Sequence, residues 1–462
     1  MKNNIRKLAY LVLAGMMVIC VYLAFIPYYI DQVAGSGRAP EDPRIAIREN
    51  QIKRGDILDR QEAVLARSVI SADGSYTREY PYGSTAAHVV GYNSPRYGSA
   101  GVEKSMAEIL LGLKGQNEFT DLRDYIFNLP GVGNDLILTI DIRLQQEAYS
   151  LLAGRKGAIV ALEPSTGAVL AMASYPHFDP ENIEEYLNAS DSPLLNRAAQ
   201  GAYPPGSAFK IVTGAALRSN LPDLTNEHIN CTGELKIDGF TLRDNGVHGD
   251  VYFQDAFAMS CNVAFAEYGI ALGAKNLVKQ AESFGVGQSF EFELPVYKGQ
   301  TGETSMDRVE LASSAIGQGD VLISPLQAAM LAGGVANEGV VMKPYLTAGY
   351  KGPNGIQSVT APKELLQAMD PLVAAAVTED MIVVIEQGTG KRAAIAGVSV
   401  AGKTGSAENP HGATHAWFVG FAPADSPRVA VAVLLENAGS GGVEAAPLAG
   451  EFLWQALNIL GE

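Results

Sequence analysis

A chain of 462 residues with 47% hydrophobic and 18% charged side chains carries enough apolar material for two or three packed domains, which excludes disorder of the whole. Its formal net charge of −16, with no Lys/Arg cluster in the body of the chain, excludes nucleic acid as a partner, because phosphate binding needs clustered cations. Any anionic substrate must then be held by local positive groups.

Residues 8–26 form an uncharged apolar run of nineteen positions, close to the roughly 20 that a helix needs to cross a bilayer. Lys2, Arg6 and Lys7 precede it, so the positive-inside rule keeps the short N-terminus cytoplasmic and exports everything after about Asp31. The alternative is a cleaved signal peptide, whose apolar region is only about 7–15 residues long, with the small residues at 34–37 as the cleavage signal. The expected location is the cell membrane, crossed once, with the bulk of the chain extracytoplasmic. Residues 1–34 are assigned to this anchor.

Gly35-Ser36-Gly37 and the prolines at 40 and 43 form a flexible exit from the membrane. A smaller mixed region, residues 35–134, follows as a noncatalytic pedestal or partner-docking part. It holds a strand pattern around Ile57, and a glycine-rich turn at 97–103 that enters a helical stretch at 104–113. The third region, 135–462, opens with a strand at 136–140, a helix cap at Asp141 and an amphipathic helix at 142–152. Strands at 158–162 and 168–172 flank a turn at 163–167. Further strands are expected at 397–402, 416–422 and 429–435, and a last helix around 452–459. Helical patterns occupy the middle, including 209–217, 263–272 and 326–336. Strands at both ends with helices between them predict an α+β fold, one antiparallel sheet with helices packed against it.

Cys20 lies in the apolar run, and Cys231 and Cys261 are the remaining two cysteines. A single Cys231–Cys261 bond is open, but spacing alone does not establish it. Six histidines without a His-x-x-x-His or Cys-x-x-Cys pattern argue against a metal, and no cofactor is expected.

Three short motifs carry the chemistry. Tyr203-Pro204-Pro205-Gly206 interrupts regular structure, so Ser207 falls at a helix N-terminus with Lys210 one turn later on the same face. A buried, desolvated lysine is neutral often enough to take the proton of a serine hydroxyl, which is otherwise a poor nucleophile. Taken alone, Ser207 is as readily a helix cap. In Ser260-Cys261-Asn262, residues i and i+2 face one cleft only from a turn, since on a helix they point apart; from a turn, Ser260 can relay a proton and Asn262 can bond an amide. A helix cap is the plainer reading here too. Lys403-Thr404-Gly405-Ser406 ends an apolar strand pattern. There Gly405 admits a second backbone beside an edge strand, and Lys403 and Thr404 offer charge and hydroxyl to a terminal carboxylate. The backbone N–H groups of Ser207 and Ser406 are candidates for an oxyanion hole.

In this order the motifs resemble the Ser-x-x-Lys, Ser-x-Asn and Lys-Thr-Gly set of penicillin-binding proteins, and the chain resembles the membrane-anchored class B members along essentially its whole length. Arg54-Gly55 with Asp59-Arg60, Glu103 after Gly101, Asn196-Arg197, Gly317-Gln318-Gly319 and Ser324-Pro325-Leu326-Gln327 resemble further family positions. Where the family often has Asn-Gly after Asp-Arg, this chain has Gln61-Glu62. The resemblance implies the penicillin-binding fold, a five-stranded antiparallel sheet flanked by helices. It also implies peptidoglycan D,D-transpeptidation of stem peptides through a Ser207 acyl-enzyme, with β-lactams acylating the same serine. By analogy with the short elongation and division enzymes it implies a polytopic SEDS-type glycan polymerase as partner. The competing readings are a D,D-carboxypeptidase or β-lactamase, in which water resolves the acyl-enzyme, and a noncatalytic sensor or scaffold. The anchor and long N-terminal region weigh against the first, and the intact Ser207 and Lys210 against the second.

Overall fold

The computed structural model describes residues 52–71, 74–113, 132–352, 355–410 and 412–461, together with 6, 7, 10, 12–19 and 21 near the N-terminus. Those N-terminal residues are helical, but the expected span at 8–26, with Cys20, falls partly outside the described residues. Among the described residues no helix is long and apolar enough to cross a membrane.

A five-stranded, wholly antiparallel sheet forms the centre, in the order Ala401–Ala407, His415–Ala422, Val429–Leu435, Gly157–Leu162, Val169–Tyr175. Its four strands other than Ala401–Ala407 are apolar at nearly every position because both faces are covered, and the two-residue pleat divides them between two cores. Ile159, Ala161, Phe418 and Val431 pack with Leu144, Leu152, Phe452 and Leu453 from the helices Ile142–Leu152 and Gly441–Gly461. Val160, Leu162, Trp417 and Ala432 face the opposite way, toward Leu326 and Leu331 of the helix Pro325–Ala336. Asp141 caps its helix by accepting from Arg143 N, as expected. The last helix begins well before 452, at Gly441, and runs through Pro447; its glycine-rich first turns hid it from propensity.

A second, six-stranded sheet runs Gly355–Val359, Thr347–Gly352, Asp135–Leu138, Ile57–Leu58, Val64–Ile70, Tyr76–Glu79. It takes strands from both sides of residue 135, with Asp135–Leu138 lying parallel to Ile57–Leu58 and antiparallel to Thr347–Gly352. Its core box is electrostatic. Glu103, fully buried, receives Arg54 Nε at 2.7 Å and Arg78 Nε at 2.6 Å. Asp59, also fully buried, accepts from Gln61 N and Ala63 N at 2.8 Å and from Ile142 N at 3.0 Å, tying its turn to the start of the helix Ile142–Leu152. At Gln61-Glu62 the turn survives without glycine: Glu62 takes the left-handed φ of 65°, and its carboxylate pairs with Lys351.

Because two buried guanidiniums share the carboxylate of Glu103, its removal takes an ion-pair partner from both. Glu103→Ala should therefore lower unfolding free energy by about 3–5 kcal/mol, measured by denaturant unfolding. A loss below about 1 kcal/mol, the range of an exposed pair, would show that the network carries no such weight.

Candidate active site

Gly206 sets the geometry of the first motif. Its φ is +52°, its N–H donates to Gly317 O at 2.9 Å, and a Cβ there would lie 2.8 Å from Ser406 O. Gly317 is pressed as closely from its own side, since a Cβ on it would meet Gly206 O at 2.1 Å. The next turn, Gly206–Phe209, is 3₁₀ and leads into the α-helix Lys210–Asn220. In a 3₁₀ turn residues i and i+3 eclipse, which stacks Lys210 behind Ser207. The preceding Tyr203-Pro204-Pro205 segment is braced: Tyr203 Oη donates to Glu436 at 2.6 Å, Arg197 Nε pairs with the same oxygen at 2.8 Å, and Trp417 Nε1 donates to Pro204 O at 3.0 Å.

The second motif is the turn its spacing called for. Ser260 ends the helix Phe253–Met259 in the left-handed conformation, φ 61°, and Asn262 starts the helix Asn262–Leu272. This non-glycine residue in a sparsely populated region is the kind of strain found at functional sites. The turn presents three oxygens to one amine. Lys210 Nζ, fully buried, lies 2.7 Å from Ser260 O, 2.8 Å from Asn262 Oδ1 and 3.3 Å from Ser260 Oγ.

The third motif corrects the expected strand end. The strand is Ala401–Ala407 rather than 397–402, and Lys403 to Ser406 occupy its interior, each paired with His415–Ala422. Alternation of apolar and polar residues is missing because every position but Ser406 is buried; this is the sheet's outer strand, whose other edge faces the turn Gly206–Phe209. A Cβ on Gly405 would lie 2.6 Å from Pro205 O and 3.1 Å from Ala208 N, so only glycine permits this approach. Ser406 Oγ accepts from Gly441 N at 3.1 Å, and Thr404 Oγ1 lies 2.6 Å from Thr389 Oγ1.

Lys403 is placed differently from expectation. It is fully buried behind the cleft, with Nζ 2.9 Å from Ser260 Oγ and 3.2 Å from Thr404 O. A fixed cation offered to a substrate carboxylate would have to line the cleft, and this amine does not. The exposed cations that do are Arg243, Lys391 and Arg392, which no sequence motif marked. Ser260 Oγ is thus shared by two buried lysine amines. A hydroxyl has two acceptor lone pairs and one proton, so Ser260 Oγ can accept from both amines or, where one is neutral, accept from one and donate to the other. Burial pushes Lys210 down to about 7 from the usual lysine range. Burial, and then the neighbouring Lys210, hold Lys403 well below that range too. The faces of Phe265 and Phe257, centred 5.2 and 5.7 Å from the two nitrogens, attract the charged form and partly offset that burial.

Ser207, Ser260, Asn262, Thr404 and Ser406 open onto one cleft of about 890 Å³. The arrangement supplies a hydroxyl on a helix N-terminus, an amine one turn away whose proton affinity burial has lowered, a second hydroxyl between two amines, and an edge strand along which an extended peptide can lie. Cys231 and Cys261 are buried free thiols, not a disulfide. They meet Asp244 and His248, with the four donor atoms within 4.8 Å of one another. The sequence shows no such cluster because the donors come from separate elements, which spacing rules for a single element do not detect.

The family model for the penicillin binding protein transpeptidase domain matches residues 157–453, and that for the penicillin binding protein A dimerisation domain matches 54–136. The peptidoglycan D,D-transpeptidase PbpA of Mycolicibacterium smegmatis is 36% identical, with 97% of each chain covered, and MrdA of Acinetobacter baumannii is 32% identical over 87% of this chain and 69% of that one. Among solved structures, penicillin-binding protein A of M. tuberculosis as a ceftriaxone acyl-enzyme is similar with a TM-score of 0.82 at 34% identity, covering 88% of this chain and 99% of that one. The D,D-transpeptidase domain from Eggerthella lenta gives 0.80 at 36%, covering 89% and 99%. The chain belongs to the penicillin-binding transpeptidase family.

Proposed function

We propose that this peptidoglycan D,D-transpeptidase, a target of β-lactams, works through Ser207 with Lys210 as its base. Ser207 Oγ attacks the carbonyl of the penultimate D-alanine of a stem peptide, and neutral Lys210 takes the hydroxyl proton. The C–N bond to the terminal D-alanine breaks as Ser260, fed by the two amines, returns a proton to the leaving nitrogen. An amine of a second stem peptide then attacks the acyl-enzyme, its proton going back along the same route, and Ser207 is released as the hydroxyl. The N–H groups of Ser207 and Ser406 hold the oxyanion, Asn262 bonds the donor's amide, and Gly405 lets the donor backbone lie along the strand. For the donor's carboxylate, Thr404 and Ser406 supply hydroxyls and the cleft cations Lys391 and Arg392 supply charge, while Lys403 positions Ser260. The observation that carries this reading is Ser260 Oγ lying between Lys210 and Lys403.

Incubation with a stem-peptide donor and an amine acceptor tests it. Crosslinked product with stoichiometric D-alanine is expected; free D-alanine without crosslinks would instead favour the carboxypeptidase reading. The pH dependence follows from the base. Protonated Lys210 cannot accept a proton, so the rate constant for penicillin acylation should fall about tenfold per unit below a pH of about 7 and level off above it. A flat profile from pH 5.5 to 8.5, read by stopped-flow labelling, would remove Lys210 from the role.

The same proposal extends to the membrane, where the apolar residues exposed at 12–19 support an anchor at the N-terminus, and to a SEDS-type glycan polymerase docking on the pedestal, supported only by analogy. Recovery of the chain in the soluble fraction would contradict the anchor. Failure to co-purify with such a polymerase from detergent-solubilised membranes would contradict the partnership.

A further inference from the structure

We propose that a second cavity, adjoining the cleft beside the turn Gly206–Phe209, is the subsite for the acceptor stem peptide, and that Glu408 binds the ammonium of its side chain. This rests on the Ser207 acyl-enzyme and adds where the second substrate enters. The cavity holds about 510 Å³ and shares Gln318, Gly319 and Glu408 with the cleft. These three flank the turn that bears Ser207. Gly206 N donates to Gly317 O at 2.9 Å, and a Cβ on Gly206 would lie 3.1 Å from Ala407 Cα, so Gln318 and Glu408 each follow a residue packed against that turn.

Charge divides the two spaces. Arg243, Lys391 and Arg392 line the cleft, whereas among the described residues the adjoining cavity has Glu408 as its charged group. His415 also lines it, but burial holds this imidazole below the ordinary histidine range, Glu436 opposing only in part, and its Nδ1 accepts from Asn437 N at 3.1 Å. Transpeptidation needs such an asymmetry, because the donor ends in a carboxylate and the acceptor brings an alkyl amine that is an ammonium in neutral water. Glu408 is exposed and, among the described residues, has no ion-pair or hydrogen-bond partner, so its carboxylate is free to take that ammonium. Pro204, Leu322 and Pro410 give apolar surface to the methylenes behind the charge. The walls are set before any peptide binds. Tyr203 and Ile323 exchange N–H···O bonds of 3.0 and 2.9 Å, which hold Leu322 near Pro204, and Asn409 Nδ2 donates to Asn437 Oδ1 at 2.9 Å and Ala413 O at 2.6 Å.

The bound ammonium first gives one proton to solvent, which reaches it at the exposed Glu408. Its nitrogen lone pair then forms the C–N bond to the acyl carbon while the ester C–O bond to Ser207 breaks, and the second proton leaving nitrogen passes by Ser260 and Lys210 to Ser207 Oγ. Glu408 takes no proton in this sequence. It is a binding residue that raises the local concentration of amine beside the ester, which favours crosslinking over hydrolysis.

The test measures how the acyl-enzyme partitions, a ratio from which the rate of acylation cancels. The full chain in detergent receives a stem-pentapeptide donor and rising amounts of a stem peptide with a free side-chain amine, and mass spectrometry quantifies crosslinked and hydrolysed donor. The acceptor concentration at which half the acyl-enzyme is crosslinked should rise about threefold to fivefold in Glu408→Gln, the upper range for an exposed ion pair. It should rise about tenfold in Glu408→Lys, where attraction becomes repulsion, and least in Glu408→Asp, which keeps the charge. Added salt should raise that concentration in wild type and affect Glu408→Gln less, a response that a merely structural glutamate would not give. An unchanged partition in Glu408→Gln and Glu408→Lys, equal losses in all three variants, or a change confined to the donor's KM would overturn the proposal. Wild type that forms no acyl-enzyme on Ser207 would instead remove the mechanism on which it rests.

Discussion

Ser207→Ala should abolish covalent labelling by fluorescent penicillin while shifting the melting temperature by no more than about 1–2 °C. The two halves of that result have different causes. Ser207 is half-buried and lines the cleft, and its backbone is held by neighbours, Gly206 N on Gly317 O and Pro204 O under Trp417, that an alanine leaves in place. The hydroxyl, in contrast, is the atom that becomes the ester in the proposed mechanism, and it stands at the turn Gly206–Phe209 that leads into the helix Lys210–Asn220. Residual labelling at wild-type rate would place the acylated group elsewhere.

Lys210→Met should lower the acylation rate constant by about 10²–10⁴-fold, the usual worth of a general base. Methionine keeps most of the buried volume and removes a group whose charged form is costly there, so unfolding free energy should be unchanged or higher. The variant should also lose the inflection near pH 7, which a merely structural lysine would not cause. A mutant that kept both the wild-type rate and its pH profile would transfer the base role to Lys403, whose amine reaches the same Ser260 hydroxyl.

Much of this site was readable before any coordinates because each motif has a local cause. A Pro-Pro-Gly break before an apolar run must start a helix, and the helix Lys210–Asn220 follows it. An i, i+2 pair can converge only from a turn, and Ser260 occupies the left-handed position that makes one. The strand Val429–Leu435 and the helix Ile142–Leu152 emerged with the expected limits because their patterns are long and end at clear signals. What could not be read was set by distant partners. The polar Lys403 to Ser406 run is strand interior because an antiparallel neighbour pairs with it, and Lys403 faces inward because Ser260 is there to meet it. The cations Lys391 and Arg392 reach the cleft from a short 3₁₀ turn that has no motif. The Cys231, Asp244, His248 and Cys261 cluster closes only in three dimensions. Glu62 shows the reverse case, where an unfavourable residue holds a turn that sequence alone would assign to glycine.

The most direct measurement is peptide mass spectrometry of the protein after brief exposure to penicillin. A single adduct of one penicillin mass, on the peptide bearing Ser207 and fragmenting to that residue, is the predicted result. An adduct on any other residue, or an unmodified protein after prolonged exposure, would contradict the account.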